Sequence, residues 1–159
     1  MYSYIYAIAH IDSGIKSEDV YLDKVGIFPF LRLHFGADWV NNVELPINDS
    51  WLSSDLKMSM EDDVIDLGKF KDRLMSEYGR YASMHGDSIP ECFHMYEINF
   101  HHEVFDVFDK SGHDTLLTIP QVIADFGRYI ATGRTSEPES IIDWRNPKYR
   151  ILKVLEYHI

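Results

Sequence analysis

Apolar and polar positions alternate from the start of the chain. Over residues 3–11, Tyr4, Tyr6 and Ile8 interleave with Ile5, Ala7 and Ala9, so both faces of a period-two strand are apolar. A strand buried on both sides is central in its sheet. The small Ala7 and Ala9 leave room for a helix to pack close on one face. Asp12-Ser13-Gly14 reads as the turn that ends the strand. A second apolar run, Val25 to Phe35, contains Pro29, whose missing amide proton predicts a break or an edge strand. Val43, Leu45 and Ile47 alternate as a third short strand, with Asn41-Asn42 before it as a hairpin turn. From Asn48 to Asp66 the pattern predicts a long acidic connection, with a short strand around Leu56–Met60.

The period then changes. Leu67, Phe70, Leu74, Tyr78 and Tyr81 recur at helical spacing, predicting a helix over about 66–84 that ends near Gly86. Residues 92–108 fit a strand to about His102, followed by a short irregular or helical piece. Thr118-Ile119-Pro120-Gln121 carries the signature of a helix start. Thr118 is placed to cap, Pro120 lies in the first turn, and Gln121 reaches back to the cap. Ile119, Val122, Ile123, Phe126 and Ile130 form the apolar stripe of this second helix, over about 118–132, with Gly133 as its stop. Tyr149 to Ile159 reads as a last strand. The pattern predicts one α+β domain over residues 1–159, with a mostly antiparallel sheet.

Composition sharpens this. The 159 residues are 45% hydrophobic and 14% aromatic, which suits one compact core and excludes a disordered acidic tail. The net charge of −11 argues against a generic nucleic-acid binder, which needs a Lys/Arg surplus. A lone cysteine, Cys92, allows no intrachain disulfide, which fits a reducing compartment. With no apolar span or basic leader at the N-terminus, the expected location is cytoplasmic. The charge is uneven: residues 1–66 carry a net −8, residues 67–110 a net −3, and residues 111–159 are neutral.

Candidate chemistry is sparse. His94, His101, His102 and His113 lie among Glu97, Glu103, Asp106 and Asp109. Adjacent histidines on a strand point to opposite faces, and no H-E-x-x-H pair occurs, so no metal site is expected. Cys92 and His94 would share a strand face; a lone buried thiol is the commoner case. Asp109-Lys110-Ser111-Gly112-His113-Asp114-Thr115 has the look of a calcium loop, but its Gly is misplaced and Pro120 stands where the bidentate Glu belongs. A plain turn is expected there. The sequence contains no G-x-S-x-G elbow, P-loop or G-x-G-x-x-G.

Tyr4-Ile5-Tyr6, then Lys24-Val25-Gly26-Ile27 and Arg32, resembles the opening of a GIY-YIG nuclease domain. The resemblance covers about the first thirty-five residues. It implies two strands bearing the triplets, a helix carrying Arg32, and Glu77 as a helical ligand for a divalent metal.

The residues by themselves favour a non-enzymatic protein without cofactor, metal, catalytic residue, membrane contact or direct nucleic-acid contact. The expected function is that of an acidic inhibitor, a toxin-immunity or phage anti-defence protein that occludes a basic, nucleic-acid-processing partner. Its expected binding surface comprises Asp49, Asp55, Glu61, Asp62, Asp63 and Asp66, with Trp39 or Trp51 as apolar anchor. The alternatives are a divalent-metal-dependent enzyme such as a diverged GIY-YIG-like nuclease, and a structural subunit of an assembly.

Overall fold

A computed structural model describes residues 2–20, 22, 24–43, 45, 54–86, 88, 103–132 and 140–159. The strands are β1 (Tyr2–His10), β2 (Trp39–Val43), β3 (Met60–Glu61), β4 (Val64–Asp66), β5 (Val104–Phe108), β6 (Asp114–Thr118) and β7 (Lys148–His158). The helices are α1 (Lys24–Phe35), a single turn α2 (Ser54–Lys57), α3 (Leu67–His85) and α4 (Ile119–Thr132). The strands form one mixed sheet in the order β3-β4-β7-β1-β5-β6. Strand β2 shares an edge of β7 with β4: β4 pairs with Lys148–Arg150 and β2 with Val154–His158. Only β1 and β5 run parallel; the remaining pairs among the described residues are antiparallel. The α+β architecture is the one expected from the pattern.

β1 is central and covered twice, as its alternation predicts. Tyr4, Tyr6 and Ile8 face a core with Phe70, Leu74 and Tyr78 of α3 and Ile119 and Val122 of α4. Ile5, Ala7 and Ala9 face a second core with Ile27 and Leu31 of α1. The register between β1 and β7 shifts between Ala7 and Ile8, leaving Leu152 as an extra residue on β7. That bulge switches which β7 positions face each core. Tyr149 and Ile151 before it face the α3 core, and Leu155 and Tyr157 beyond it face the α1 core.

α3 follows its apolar spacing, burying Leu67, Phe70, Leu74, Tyr78 and Ala82. Asp66 caps it, accepting from the amides of Gly68 (2.9 Å) and Lys69 (3.1 Å). Gly86 ends it at φ 70, a conformation other residues adopt at a cost. α4 begins as the capping signature predicts: the Thr118 amide donates to Gln121 Oε1 at 2.8 Å. The proposed stop at Gly133 lies outside the described residues.

Four expectations are corrected. The run from Val25 to Phe35 is helix α1, not a broken strand, although Pro29 lies inside it. A helix-interior proline costs about 3 kcal/mol. Burial of Ile27 and Leu31 on the shallow floor of Ala7 and Ala9 offsets that cost. Asn41-Asn42 is not a turn; it lies within β2, opposite Glu156 and Leu155. The strand placed around Leu56–Met60 is replaced by the turn of α2 and a small β3–β4 hairpin. Residues 104–108 form a fully buried strand, held between β1 and β6, rather than an irregular or helical piece. The rest of the 92–102 segment lies outside the described residues, as does Ile47.

One buried carboxylate ties the chain between α4 and β7 to the core. Asp125, fully buried, accepts from the amides of Ile141 (2.8 Å) and Ile142 (3.0 Å) and from the Trp144 indole (3.0 Å). Arg128, one turn on, donates to it at 3.2 Å. Replacing Asp125 by Ala leaves these donors without an acceptor. Urea unfolding followed by tryptophan fluorescence should show a loss of about 3–5 kcal/mol. A loss under about 1 kcal/mol would mean that the 140–146 segment does not depend on this carboxylate.

Candidate functional site

Residues 60–66 of the acidic stretch form a tight hairpin at the sheet edge. Asp62 takes φ 54 between β3 and β4, a left-handed conformation that Asp tolerates better than most residues. Asp63 turns back onto β7, where Arg150 Nη1 donates to both its oxygens at 2.8 and 2.9 Å. Its carbonyl also accepts from the Ile151 amide at 2.7 Å. Asp66 is occupied as the α3 cap. Two of the four carboxylates therefore serve the fold. Glu61 and Asp62 remain exposed at the tip.

The other predicted site residues are not all brought here. Asp55 lies in α2, so its backbone is near the hairpin in sequence and fold order. Asp49 and Trp51 lie outside the described residues. Trp39 opens β2 opposite His158, with which it stacks at 5.9 Å and an interplanar angle of 6°. The same histidine meets Asp38 at 2.9 Å. Arg150, which holds the hairpin, is eight positions before His158 on β7, a separation of roughly 27 Å. Met58, 64% exposed, is the apolar side chain beside the acidic tip. Sequence reasoning read its neighbours as a short strand around Leu56–Met60 and did not single it out.

Tertiary structure also changes the charge of this surface. Lys69, Lys148 and Arg150 line the same groove, of about 670 Å³, as Glu61, Asp62, Asp63 and Asp66. The anionic character is concentrated at the tip, and the groove behind it is nearly balanced.

A second cleft, of about 580 Å³, opens beyond the carboxyl ends of the parallel pair β1 and β5. Such strand ends are where α/β sheets commonly hold ligands. His10, Asp12, Asp109, Lys110, Asp143 and Tyr149 contribute to its wall. Most of their polar atoms are engaged within the protein. His10 Nε2 donates to the Asn146 carbonyl at 2.8 Å, and Nδ1 accepts from the Asp12 amide at 3.2 Å. The Tyr149 hydroxyl accepts from the Asp143 amide at 2.8 Å, and burial pushes that phenol up to about 12. The sequence offered Asp109 and Lys110 only as part of a loop and Asp12 only as part of a turn; the cleft exists because β1, β5 and β7 converge.

The expected plain turn between β5 and β6 is present. Asp109 Oδ1 accepts from the Ser111 amide (2.9 Å), the Ser111 hydroxyl (2.6 Å) and the His113 amide (3.1 Å). These bonds, the hydroxyl foremost, hold its carboxyl below the usual range. The oxygen that a cation would need is thus engaged by the turn itself. Among the described residues no three His, Cys, Asp or Glu side chains converge on a metal-sized point. Cys92, His94, Glu97, His101 and His102 lie outside them.

The nuclease-like opening does not assemble as its resemblance implies. Lys24-Val25-Gly26-Ile27 begins α1 instead of forming a second strand, and β1 pairs with β5 and β7. Arg32 is on α1 and Glu77 on α3, helices that cover opposite faces of the sheet. No protein family, curated protein or solved structure matches this chain. Among the described residues no helix is long and apolar enough to cross a membrane.

Among the described residues the most perturbed carboxyl is Asp106 in β5. It is 1% exposed, and its Oδ1 has no hydrogen-bond partner. Burial first, then a hydrogen bond with Asp114 and that group's charge, pushes it up from 3.8 to about 8. Leu116 is its direct neighbour across the β5–β6 pair, and Asp114 stands diagonally, near enough to share the proton. The native state therefore holds a proton that the unfolded chain releases near pH 4. Stability contributed by this group is full below about pH 4 and is lost as the pH rises to about 8. In urea unfolding between about pH 5 and pH 8, Asp106→Asn should flatten that decline and exceed the wild type at the upper end. An unchanged slope would assign the decline to another group.

Proposed function

We propose that this protein is a non-enzymatic inhibitor of the toxin-immunity or anti-defence kind, whose acidic β3–β4 tip occludes a basic partner that processes nucleic acid. The observation that carries this reading is the presentation of Glu61 and Asp62. They project from a hairpin already braced by the Asp63–Arg150 pair and the Asp66 cap. A braced hairpin loses little freedom on binding, so more of the contact energy appears as affinity. The two carboxylates meet Lys or Arg that the partner uses for phosphate, and steer its approach. Exposed Met58 supplies the adjacent apolar contact, the role first expected of tryptophan.

The partner is recovered by pull-down from native host cells or phage-infected cells, and its association is then timed at low and high salt. Glu61→Lys with Asp62→Lys should slow association by about tenfold or more at low salt, with less effect on dissociation. Both side chains are exposed, so the double variant should keep the fold, with melting lowered only slightly by Lys in the left-handed turn at position 62. An unchanged association rate would remove the hairpin tip as the recognition surface.

A further inference from the structure

The groove behind the hairpin tip carries both signs of charge, and the sheet keeps them apart. Ile65 and Tyr149 turn into the core beneath α3, so by the alternation of a strand Val64, Asp66, Lys148 and Arg150 turn the other way. On that face Glu61, Val64 and Arg150 stand in one row across β3, β4 and β7, and Asp66 and Lys148 form the next row. Neighbouring strands lie about 4.8 Å apart, so the carboxylate edge at β3 is about 10 Å from the cations of β7. Lys69, in the first turn of α3, lines the same groove. Arg150 is held by Asp63. The side chains of Lys69 and Lys148 are exposed and make no ion pair or hydrogen bond among the described residues; the same is true of Glu61 and Asp62. Two free carboxylates and two free ammonium groups therefore border one space of about 670 Å³.

We propose, resting on the inhibitory reading of the tip, that this groove is a two-signed docking surface whose occupant is a protein presenting Lys or Arg with a carboxylate about 10 Å away. Charge complementarity selects that occupant. A polycation is drawn to Glu61 and Asp62 and pushed back by Lys69 and Lys148. Nucleic acid gains at the two lysines and loses at the tip. A surface carrying both signs gains at both ends. The lysines thus reject wrong partners as well as hold the right one. At physiological salt charges are screened beyond about 8 Å, so each edge acts chiefly on what lies against it. Half-buried Val64 stands between the two edges and, with exposed Met58, gives the contact an apolar centre.

Two peptides with blocked ends serve as probes: Lys-Lys-Gly-Gly-Glu-Glu, which is neutral, and Lys-Lys-Gly-Gly-Gln-Gln, which is cationic. Extended, each sets its inner Lys about 10 Å from the first Glu or Gln. Binding to the full chain is read at low salt from amide chemical shifts, which also report that each variant is folded. Lys69→Gln with Lys148→Gln should bind the neutral peptide about fivefold more weakly than the wild type, and the cationic peptide about fivefold more tightly. The opposite signs are diagnostic. Making the whole chain more negative would tighten the cationic peptide and leave the neutral one nearly unmoved. Glu61→Gln with Asp62→Asn should weaken both peptides by about fivefold. If either peptide responds otherwise to the lysine variant, the two-signed surface is overturned while the tip stands. Unchanged binding of both peptides by the tip variant, or no binding by the wild type at about 10 mM peptide, would overturn the inhibitory reading along with it.

Discussion

A strand that is apolar on both faces must be covered twice, and the fold is arranged around that demand. β1 has neither a polar face to leave in water nor an edge to spare, so it sits between β7 and β5 with helices above and below. The two faces are unequal. Tyr4, Tyr6 and Ile8 are bulky and meet α3 and α4, while Ala7 and Ala9 are shallow and admit α1 closely. The close seat of α1 explains how a helix containing Pro29 is retained. β7 meets the same demand with a bulge that lets one strand supply apolar side chains to both cores.

Carboxylates in this chain divide into those that hold the structure and those that remain available. Asp125 organises the 140–146 segment, which in turn positions His10 and Tyr149 at the strand ends. Asp63, Asp66 and Asp109 each bind groups of the protein itself. Asp106 is held protonated by burial and by its neighbour Asp114. The formal charge thus overstates the electrostatic field at several places and understates its focus at the β3–β4 tip, where Glu61 and Asp62 are exposed.

Much of the architecture was legible. Period-two and period-four repeats identified β1, α3 and β7 nearly to the residue, and capping chemistry located the start of α4. These are local signals, written in neighbouring residues. The errors came where a local rule met a stronger distant one. Pro29 and the apolar run around it read as strand until the alanine floor of β1 is known. Val104–Phe108 has no alternation because both its faces are covered, so its period carried no information. β6 passed unread because its five residues are short and half polar, and it exists through pairing with β5.

The candidate site divides in the same way. Composition alone determined that the chain is acidic and that eight of its eleven excess negative charges lie before Leu67. Which carboxylates are available was decided only in three dimensions. Arg150 and Lys148 are more than eighty residues from Asp63 in sequence, and β7 brings both to the groove behind the hairpin. Trp39, near the acidic stretch in sequence, is carried to the far end of the same strand. Charge adds along a sequence regardless of order. Recognition depends on distance, and distance is set by strand pairing between residues that the sequence holds far apart.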